Sequence, residues 1–212
     1  ANIVAEKIKE EFSNINIEFL TKETSGDIDL STPLHKMPDP GVFTNDIREE
    51  LLKNKADLAV HSWKDLPVEL QEGTEIVTTL KREDPRDLLI FKKSSIEKKK
   101  INIFTSSPRR KENLSNFLPE FLSWKPKKVN FIDVRGNIQT RISKLFDSKE
   151  DGLVIALAAM KRLLSSPQFI EEESYLLNFL KESNWMILPL SKNPAAPAQG
   201  ALAVEIASNL SL

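Results

Sequence analysis

The sequence predicts an α/β fold made of two lobes with mostly parallel sheets. Short apolar runs such as DLAV, INIF and GLVIAL alternate along the chain with segments whose apolar residues recur at three- or four-residue spacing. Strands that alternate with helices in this way tend to pair in parallel and to be covered on both faces. The REDPRD segment, between two of the apolar runs, is the expected crossing from one lobe to the other.

The first third of the chain predicts a helix, a strand, a second helix and a short buried strand. The opening helix has Val4, Ile8 and Phe12 at four-residue spacing, and NIEFLT follows as a strand. A loop rich in Gly, Asp and Pro covers residues 25–41. The second helix lies around FTNDIREELLKN and the buried strand in ADLAVHS. Because the chain opens directly in a helix, we expect an initial strand to be missing.

The rest of the chain predicts strands in EIVTTL, DLLIF, INIF, KVNFIDV and GLVIAL. The last three each lead into a helical segment. The final part, from WMILPL to GALAVEI, returns to strand character across a bend rich in Pro and Ala. We therefore assign residues 1–82 and 190–212 to domain 1 and residues 83–189 to domain 2.

Composition restricts the classes of function. The 212 residues are 40% hydrophobic and 29% charged with a net charge of −1, which is typical of a globular protein and does not favour nucleic acid as a partner. No apolar stretch reaches the roughly 18–20 residues of a membrane span, and no secretory signal precedes the first helix, so we expect a cytoplasmic protein. The absence of cysteine excludes disulfides, zinc–thiolate sites and a thiol nucleophile. His35 and His61 give no metal-ligand spacing, and no metal site is predicted.

Arginines follow three of the predicted strands in the second lobe. In INIFTSSPRRKENL, Ser107 can cap a helix that begins at Pro108, which places Arg109 and Arg110 in the first turn. Two cations there oppose the helix dipole unless an anion binds, although solvated arginines are the simpler interpretation of one such site. The same arrangement recurs with Arg135 and Arg141 around RGNIQTR, and LAAMKRL delivers Arg162.

The recurrence favours a ligand with several anionic groups. Ligands of open α/β sheets bind at the carboxyl ends of strands, and the guanidinium group pairs with carboxylate or phosphate through two hydrogen bonds. Neither a phosphate-binding GxxxxGK[ST] loop nor GxGxxG is present, so a polycarboxylate fits better than a nucleotide. HSWKDLP places Lys64 and Asp65 at the end of an apolar run. This pair can neutralise itself at a strand end, or Asp65 can take part in chemistry.

Six motifs occur in order along the chain: HSWKDLP, REDPRD, TSSPRR, RGNIQTR, LAAMKRL and PAAPAQGALAVE. Their sequences and order resemble those of hydroxymethylbilane synthase, also called porphobilinogen deaminase. TSGD at residues 24–27 and GVFTNDI at residues 41–47 also resemble that family. The similarity extends over the whole chain, and the sequence is identified as a member of this family.

The resemblance implies a type II periplasmic-binding-protein-like fold, with mixed, mostly parallel sheets in two lobes around a cleft, and a small third domain. It implies a transferase of porphyrin and haem biosynthesis that joins four porphobilinogen units head to tail, releases ammonia each time and hydrolyses the product off as hydroxymethylbilane. It also implies a dipyrromethane cofactor, attached through a thioether to a cysteine of the third domain. The implied partners are small molecules, porphobilinogen and the linear pyrrole chain. The protein is expected to be a monomer.

The motifs also transfer functional roles to single positions. Asp65, the aspartate of HSWKD, corresponds to the catalytic carboxylate of the family, and Lys64 to a contact of substrate or cofactor. The arginines correspond to residues that bind acetate and propionate side chains. Thr105 and Ser107 resemble nearby polar contacts, and Gln199 falls in the hinge-side motif. The predicted binding residues are therefore Lys64, Thr105, Ser107, Arg109, Arg110, Arg135, Arg141, Arg162 and Gln199. For Asp84 and Asp87, which bracket Pro85 and Arg86, hydrogen bonding at the hinge is favoured over a catalytic role.

Three features depart from the family pattern. The chain starts after the strand that carries a carboxylate-binding R-x-S motif in the family, and it stops at Leu212, before the cysteine-bearing third domain. The lid loop after STPL reads HKMPDPGVF, where the family has a stretch rich in Gly and Lys, so Pro38 and Pro40 are expected to stiffen it. These departures favour an incomplete portion of the enzyme, lacking parts that turnover is expected to need, over a natural protein that works without the thioether.

A non-catalytic polycarboxylate-binding module of the same two-lobed fold is the alternative function. Its arginines would serve such a ligand equally well. An acidic side chain such as Asp65 in the same cleft would repel that ligand, however, because both carry negative charge. The position of Asp65 therefore favours the enzyme over the binding module.

Overall fold

The polypeptide is divided between two units, and it passes from one to the other twice. The computed structural model describes residues 1–22, 24, 28, 41, 44–69, 72–172 and 174–209. Unit 1 comprises Ala1–Glu83 and Ala201–Leu212, and unit 2 comprises Asp84–Gly200. The first crossing, between Glu83 and Asp84, falls inside REDPRD.

The described elements of unit 1 are α1 (Asn2–Glu11), α2 (Asn45–Leu52), β1 (Ala59–Ser62), the 3-10 turn η1 (Trp63–Asp65), β2 (Thr74–Thr79) and β8 (Leu202–Ala207). The described strands form a three-stranded sheet in the order β1-β8-β2, in which β8 is antiparallel to both neighbours. Helix α2 lies against this sheet and buries Leu51 completely. The turn η1 follows β1 without an intervening loop.

The described elements of unit 2 are β3 (Asp87–Phe91), the 3-10 turn η2 (Lys93–Ser95), β4 (Lys100–Phe104), α3 (Pro108–Phe121), β5 (Lys128–Ile132), α4 (Ile138–Asp147), β6 (Gly152–Ala156), α5 (Leu157–Leu164), α6 (Pro167–Glu172), α7 (Ser174–Glu182) and β7 (Asn184–Ile187). The strands form a five-stranded sheet in the order β5-β4-β6-β3-β7. Strand β4 is parallel to β5 and β6, whereas β3 is antiparallel to β6 and β7.

Helices cover both faces of the unit 2 sheet, as the apolar runs predict. Every residue of β3 and β6 is buried. Successive side chains of a strand point to opposite faces, so Leu88 joins a cluster with Ile142 of α4, and Leu89 joins a second cluster with Leu114 of α3. The two clusters place α3 on one face and α4 to α7 on the other.

The sequence prediction of mostly parallel sheets is wrong for the described strands. Only β4–β5 and β4–β6 are parallel, and the neighbours of β3 and β8 are all antiparallel. Parallel pairing requires a crossover connection, which the helices between β4, β5 and β6 supply. Strands β3 and β8 instead come directly after the two crossings between units, and each runs antiparallel to both of its neighbours. The α/β class with mixed sheets is confirmed.

The second crossing lies further along the chain than the sequence assignment of residues 190–212 to domain 1 placed it. The chain leaves unit 2 between Gly200 and Ala201. Asn193 and Gln199 donate to the side chain of Asp87 at 2.8 and 2.9 Å, and these bonds hold residues 190–200 in unit 2.

The strand predicted in NIEFLT is not formed. Residues 16–21 have no strand structure. A strand is stable only when it pairs with a neighbour. Within the described part of unit 1, β1 pairs with β8 alone and leaves NIEFLT unpaired. Phe19 and Leu20 are 54% and 59% exposed, so the apolar residues that predicted a strand are not buried.

Some predictions concern residues outside the described ranges. They include the lid loop with His35, Pro38 and Pro40, and residues 25–27 of the TSGD motif. Among the residues that are described, no helix has the length and apolar character needed to cross a bilayer. The described His, Asp and Glu side chains also form no group that could hold a metal ion.

Candidate functional site

Three parallel strands of unit 2 bring their carboxyl ends to one edge of the sheet. Strands β4, β5 and β6 are in register, with Phe104 of β4 beside Ile132 of β5 and Leu153 of β6. Each strand leads into a helix, α3, α4 or α5. The segments that follow these strands carry all five arginines singled out in the sequence: Arg109, Arg110, Arg135, Arg141 and Arg162.

Both predicted helix starts are confirmed. Ser107 caps α3, with Pro108 at the first helical position, and its hydroxyl accepts from the backbone N–H of Arg110 at 3.4 Å. Asn137 caps α4 by accepting from the N–H of Thr140 at 2.8 Å. Gly136 just before it has a φ of 110°, a conformation that glycine adopts without strain. These caps fix where each arginine leaves the helix.

Hydrogen bonds join the loop after β4 to the loop after β5. The Ser106 hydroxyl donates to the carbonyl of Val134 at 2.7 Å and accepts from its N–H at 2.8 Å. The backbone N–H of Thr105 donates to the carbonyl of Ile132 at 2.9 Å. Thr105 is buried, and its hydroxyl accepts from the N–H of Ser107 at 3.4 Å. The two predicted polar residues therefore shape the loop that precedes the arginines of α3.

Arg135 and Arg141 are placed by the turn between β5 and α4. Arg135 is 8% exposed, and its backbone carbonyl accepts from Lys144 Nζ at 2.9 Å. Arg141 Nε donates to the carbonyl of Gly136 at 2.7 Å, which holds the side chain over the turn. Arg162 lies on α5 and is half-buried. Cations that are partly withdrawn from water interact more strongly with a bound anion than solvated ones do.

A buried carboxylate, Asp87, lies at the centre of the remaining site residues. Asp87 is the first residue of β3, and it is fully buried. Its Oδ1 accepts from Arg110 Nη2 at 2.6 Å and from Gln199 Nε2 at 2.9 Å. Its Oδ2 accepts from Arg109 Nη2 and Asn193 Nδ2, both at 2.8 Å. We call these five residues the Asp87 cluster.

The Asp87 cluster places Arg110 and Arg109 differently. Arg110 is buried, and its Nη1 also donates to the carbonyl of Val154 at 3.1 Å, so both terminal nitrogens of its guanidinium group are bonded within unit 2. Arg109 keeps 25% of its side chain exposed and also contacts the carbonyl of Pro194. Gln199 Nε2 additionally donates to the carbonyl of Pro85 at 2.5 Å. One carboxylate against two guanidinium groups leaves a net positive charge, with Arg109 as the more accessible cation.

The sequence reasoning missed Asn193 and the central place of Asp87 in the site. The available signal was an acidic residue directly before the apolar run LLIF, since an acid at the start of a buried strand requires a partner. Hydrogen bonding at the hinge describes only the contact of Asp87 with Gln199. Its charged partners lie 22 and 23 residues away in Arg109 and Arg110, which no local pattern connects.

Acidification is expected to weaken unit 2 through Asp87. Burial alone would raise the pKa of Asp87, but the charge and hydrogen bonds of Arg110, the hydrogen bond of Arg109 and that of Asn193 lower it from 3.8 to about 2. Because this pKa is lower in the folded than in the unfolded protein, ionised Asp87 adds about 2 kcal/mol to the free energy of unfolding above pH 5. This contribution is lost as the pH falls towards 2. Urea unfolding of wild type and Asp87→Asn at pH 5 and pH 2 measures this loss, since only wild type titrates at this position. Identical pH dependence in the two proteins would contradict it.

The acidic residue predicted to be catalytic lies in unit 1. Asp65 is the last residue of η1, and both Asp65 and the adjacent Lys64 are exposed to solvent. The turn is held by two backbone hydrogen bonds: Trp63 N–H donates to the carbonyl of Ala201 at 3.1 Å, and Leu66 N–H donates to the carbonyl of Trp63 at 3.1 Å. The end of β1 therefore presents a carboxylate and an ammonium group to solvent on a short, hydrogen-bonded turn.

The chemistry of these residues fits one part of a dipyrromethane cofactor and not another. The edge of unit 2 that bears Arg109, Arg135, Arg141 and Arg162, which we call the cationic edge, suits a group that carries several carboxylates, because guanidinium groups pair with them. A thioether requires a cysteine sulfur, and none of the 212 residues is cysteine. These residues can therefore hold the carboxylates of such a group but cannot attach it covalently.

Comparison with known proteins identifies relatives over the whole chain. A family model described as "Porphobilinogen deaminase, dipyromethane cofactor binding domain" matches residues 1–211. Porphobilinogen deaminase from Caldicellulosiruptor saccharolyticus is 37% identical over 207 residues, covering 96% of this chain and 63% of the relative. The protein of the same name from Clostridioides difficile is 35% identical over 210 residues, covering 97% of this chain and 62% of the relative. The chain thus spans less than two thirds of the length of these relatives.

A solved structure similar to this chain is the sulfate-bound regulatory domain of an OxyR2 mutant from Vibrio vulnificus. The two share 13% identity with a TM-score of 0.44, over 98% of this chain and 80% of the other. A structural similarity of this size carries no functional argument. The family match and the identity to curated relatives are the informative comparisons.

Proposed function

Because this chain belongs to the porphobilinogen deaminase family, we propose that it supplies the catalytic and ligand-binding residues of a hydroxymethylbilane synthase. The proposed reaction is the head-to-tail condensation of four porphobilinogen units, with release of ammonia at each step. Since the chain spans about 62–63% of its relatives' length, the activity is proposed for the full-length protein.

One observation carries the proposal: three neighbouring parallel strands of unit 2 end in segments that bear arginines. A growing pyrrole chain carries a carboxylate-bearing side chain at many positions, so its recognition requires several cations rather than one. A hydrogen bond between charged partners contributes roughly 1.5–3 kcal/mol, so a few of these pairs suffice to hold such a ligand. We propose that Arg109, Arg135, Arg141 and Arg162 bind carboxylates, with Lys64, Thr105 and Ser107 as further contacts.

We propose positioning roles for Arg110 and Gln199. Arg110 is buried and hydrogen-bonded to Asp87, which supports a role in fixing Arg109 beside it rather than in direct ligand binding. Gln199 joins Asp87 to the carbonyl of Pro85, at the start of the chain segment that enters unit 2. Both residues would act through the Asp87 cluster.

Asp65 is the proposed catalytic carboxylate. When porphobilinogen loses ammonia and a second pyrrole is joined to it, positive charge develops on the pyrrole framework. A carboxylate close to the pyrrole N–H groups stabilises that charge and can accept or donate a proton. Asp65 is exposed on a hydrogen-bonded turn, so a ligand can approach it. The adjacent Lys64 can neutralise a substrate carboxylate.

The family's cofactor would use the same cationic residues. A dipyrromethane group supplies the pyrrole end onto which substrate units are joined, and its carboxylates would be held by Arg135, Arg141 and Arg162. We further propose a cytoplasmic monomer that handles small molecules only, without nucleic acid or membrane. The balanced charge of 30 basic and 31 acidic residues supports the absence of a nucleic-acid partner.

Ligand selectivity tests the proposal. We expect the full-length protein to bind a linear pyrrole oligomer or porphobilinogen more tightly than a simple dicarboxylate such as succinate, as measured by calorimetry. Arg135→Leu should weaken binding of the pyrrole oligomer about 10-fold or more, because it removes a charged hydrogen-bond donor. The same substitution should change the melting temperature less than it changes the affinity.

Lys127→Leu is the matched control for Arg135→Leu. Lys127 is also a cation next to β5, but it is exposed and precedes the strand instead of following it. It should leave affinity unchanged. Equal affinity for pyrroles and succinate would instead support a non-catalytic polycarboxylate-binding module. A large loss of melting temperature with unchanged binding would assign Arg135 a structural role.

A further inference from the structure

Unit 1 contains a buried polar cluster that the proposed function does not use. It consists of Arg48 from α2, His61 from β1, Thr74 from β2 and Glu205 from β8, and we call it the Glu205 cluster. All four residues are buried, and Glu205 is completely so. The cluster therefore connects a helix with all three strands of the unit 1 sheet.

The four side chains converge on the carboxylate of Glu205. Its Oε1 accepts from Arg48 Nε at 2.7 Å and from Thr74 Oγ1 at 2.6 Å. Its Oε2 lies 2.7 Å from His61 Nε2, a hydrogen-bonding distance when Nε2 carries the ring proton. Neither His61 Nε2 nor Glu205 Oε2 makes a well-aligned hydrogen bond with any of the described residues. The short contact between these two buried polar atoms is therefore the interaction that places His61 against the carboxylate.

The charges in the cluster are balanced locally. Burial alone would raise the pKa of Glu205, but the proximity of His61, the hydrogen bond from Thr74 and the charge of Arg48 lower it below its ordinary value. A buried ion pair of this kind is rarely needed for stability, because apolar side chains of similar volume often stabilise a core equally well. Its directional bonds fix geometry, which apolar contacts do less well.

The geometry that it fixes is that of the strand leading to Asp65. Ala59 of β1 lies opposite Glu205, so these two side chains point to the same face of the sheet. His61 is two residues further along β1 and therefore points to that face as well. The turn η1 begins two residues after His61. On the backbone side, Trp63 N–H donates to Ala201 at 3.1 Å, just before β8. Strand β8 thus holds the start of the turn through one side-chain contact and one backbone contact.

We propose that the His61–Glu205 contact positions the turn that carries Lys64 and Asp65. His61 and Glu205 are then positioning residues, since neither belongs to the exposed turn itself. The inference rests on the proposed function, because it takes Asp65 as the catalytic carboxylate. A displacement of about 1 Å in a reacting group can cost about 100-fold in rate, so a small rotation of the turn is sufficient to impair turnover.

Two substitutions of His61 in the full-length, cofactor-loaded enzyme test this inference. His61→Gln keeps an N–H donor near the position of Nε2, whereas His61→Leu removes it. We expect His61→Leu to lower kcat about 10- to 100-fold with little change in KM, and His61→Gln to restore most of the loss. Where His61→Leu does not fold, His61→Asn takes its place, because its shorter amide cannot reach Glu205.

Thr74→Val is the matched control. It removes a hydrogen bond to the same carboxylate, but from β2 and on the other oxygen. It should lower the melting temperature and leave kcat unchanged. If Thr74→Val lowers kcat as much as His61→Leu does, the cluster is merely structural and the inference is overturned.

Amide hydrogen exchange separates this inference from the proposed function. The N–H groups of Trp63 and Leu66 hold the turn, so His61→Leu should raise their exchange rates at least about 10-fold, and His61→Gln should not. Unchanged exchange together with unchanged kcat in His61→Leu would overturn the inference. Asp65→Asn, measured in parallel, tests the carboxylate itself: normal turnover there refutes the role of Asp65, while the exchange rates still decide whether His61 holds the turn.

Discussion

Asp65→Asn is expected to lower kcat about 10²- to 10³-fold, which is the usual effect of removing one electrostatic group aligned with a transition state. The substitution keeps the size of the side chain and removes its negative charge, so stabilisation of the cationic pyrrole is lost. Ligand affinity should remain close to that of wild type, because the proposed affinity arises from the arginines of unit 2. Stability should change by less than about 0.5 kcal/mol, because Asp65 is exposed.

Porphobilinogen consumption by the full-length enzyme, calorimetry with a linear pyrrole oligomer and thermal unfolding measure these three quantities. Asp57→Asn is a suitable control, since Asp57 is also exposed and lies two residues before β1. It should be neutral in all three measurements. A kcat near that of wild type in Asp65→Asn would show that the carboxylate is not catalytic.

Asp87→Ala is expected to destabilise unit 2 by about 3–5 kcal/mol, since removal of one partner from a buried ion pair leaves the other charge unpaired. Arg110 is the residue most affected, because it is buried and its Nη2 donates to Asp87 at 2.6 Å. Asn193 and Gln199 lose acceptors as well. Chemical unfolding of the variant and wild type at neutral pH gives the difference in free energy.

The double variant Asp87→Ala/Arg110→Met should lose less stability than the sum of its two single variants, because it removes both charges together. Asp84→Ala provides a control within the same REDPRD motif. Asp84 pairs with Arg86 at 2.6 Å, but 42% of the Arg86 side chain is exposed, so this ion pair should contribute at most about 1 kcal/mol. Similar losses from Asp84→Ala and Asp87→Ala would contradict the central place of Asp87.

Features of unit 2 that depend on neighbouring residues could be predicted from the sequence. The caps at Ser107 and Asn137 were predicted because each acts on a backbone N–H only three residues away. The apolar runs of β3 and β6 predicted strands buried on both faces because every residue of those runs is apolar or small apart from Asp87. The three strand ends with arginines could also be predicted, because each apolar run leads into a helical segment that carries arginine or is preceded by it.

Features that depend on distant residues could not be predicted. Arg48 and Glu205 are 157 positions apart, so neither the helix pattern nor the strand pattern of either residue indicates the other. NIEFLT has the apolar residues of a strand, but forming one also requires a paired neighbour, which local sequence does not specify. The reversed direction of β3 and β8 depends likewise on the path of the chain between units.

The position of β8 also sets an order for folding during synthesis. Unit 2 is one continuous segment, Asp84–Gly200, whereas β1 and β2 of unit 1 are held together by a strand that begins at Leu202. The ribosome therefore completes every strand of unit 2 before it supplies the central strand of unit 1. Until then β1 and β2 lack the neighbour that pairs with both, and His61 lacks Glu205. The turn that bears Asp65 thus reaches its final geometry only after the cationic edge of unit 2 can already be in place.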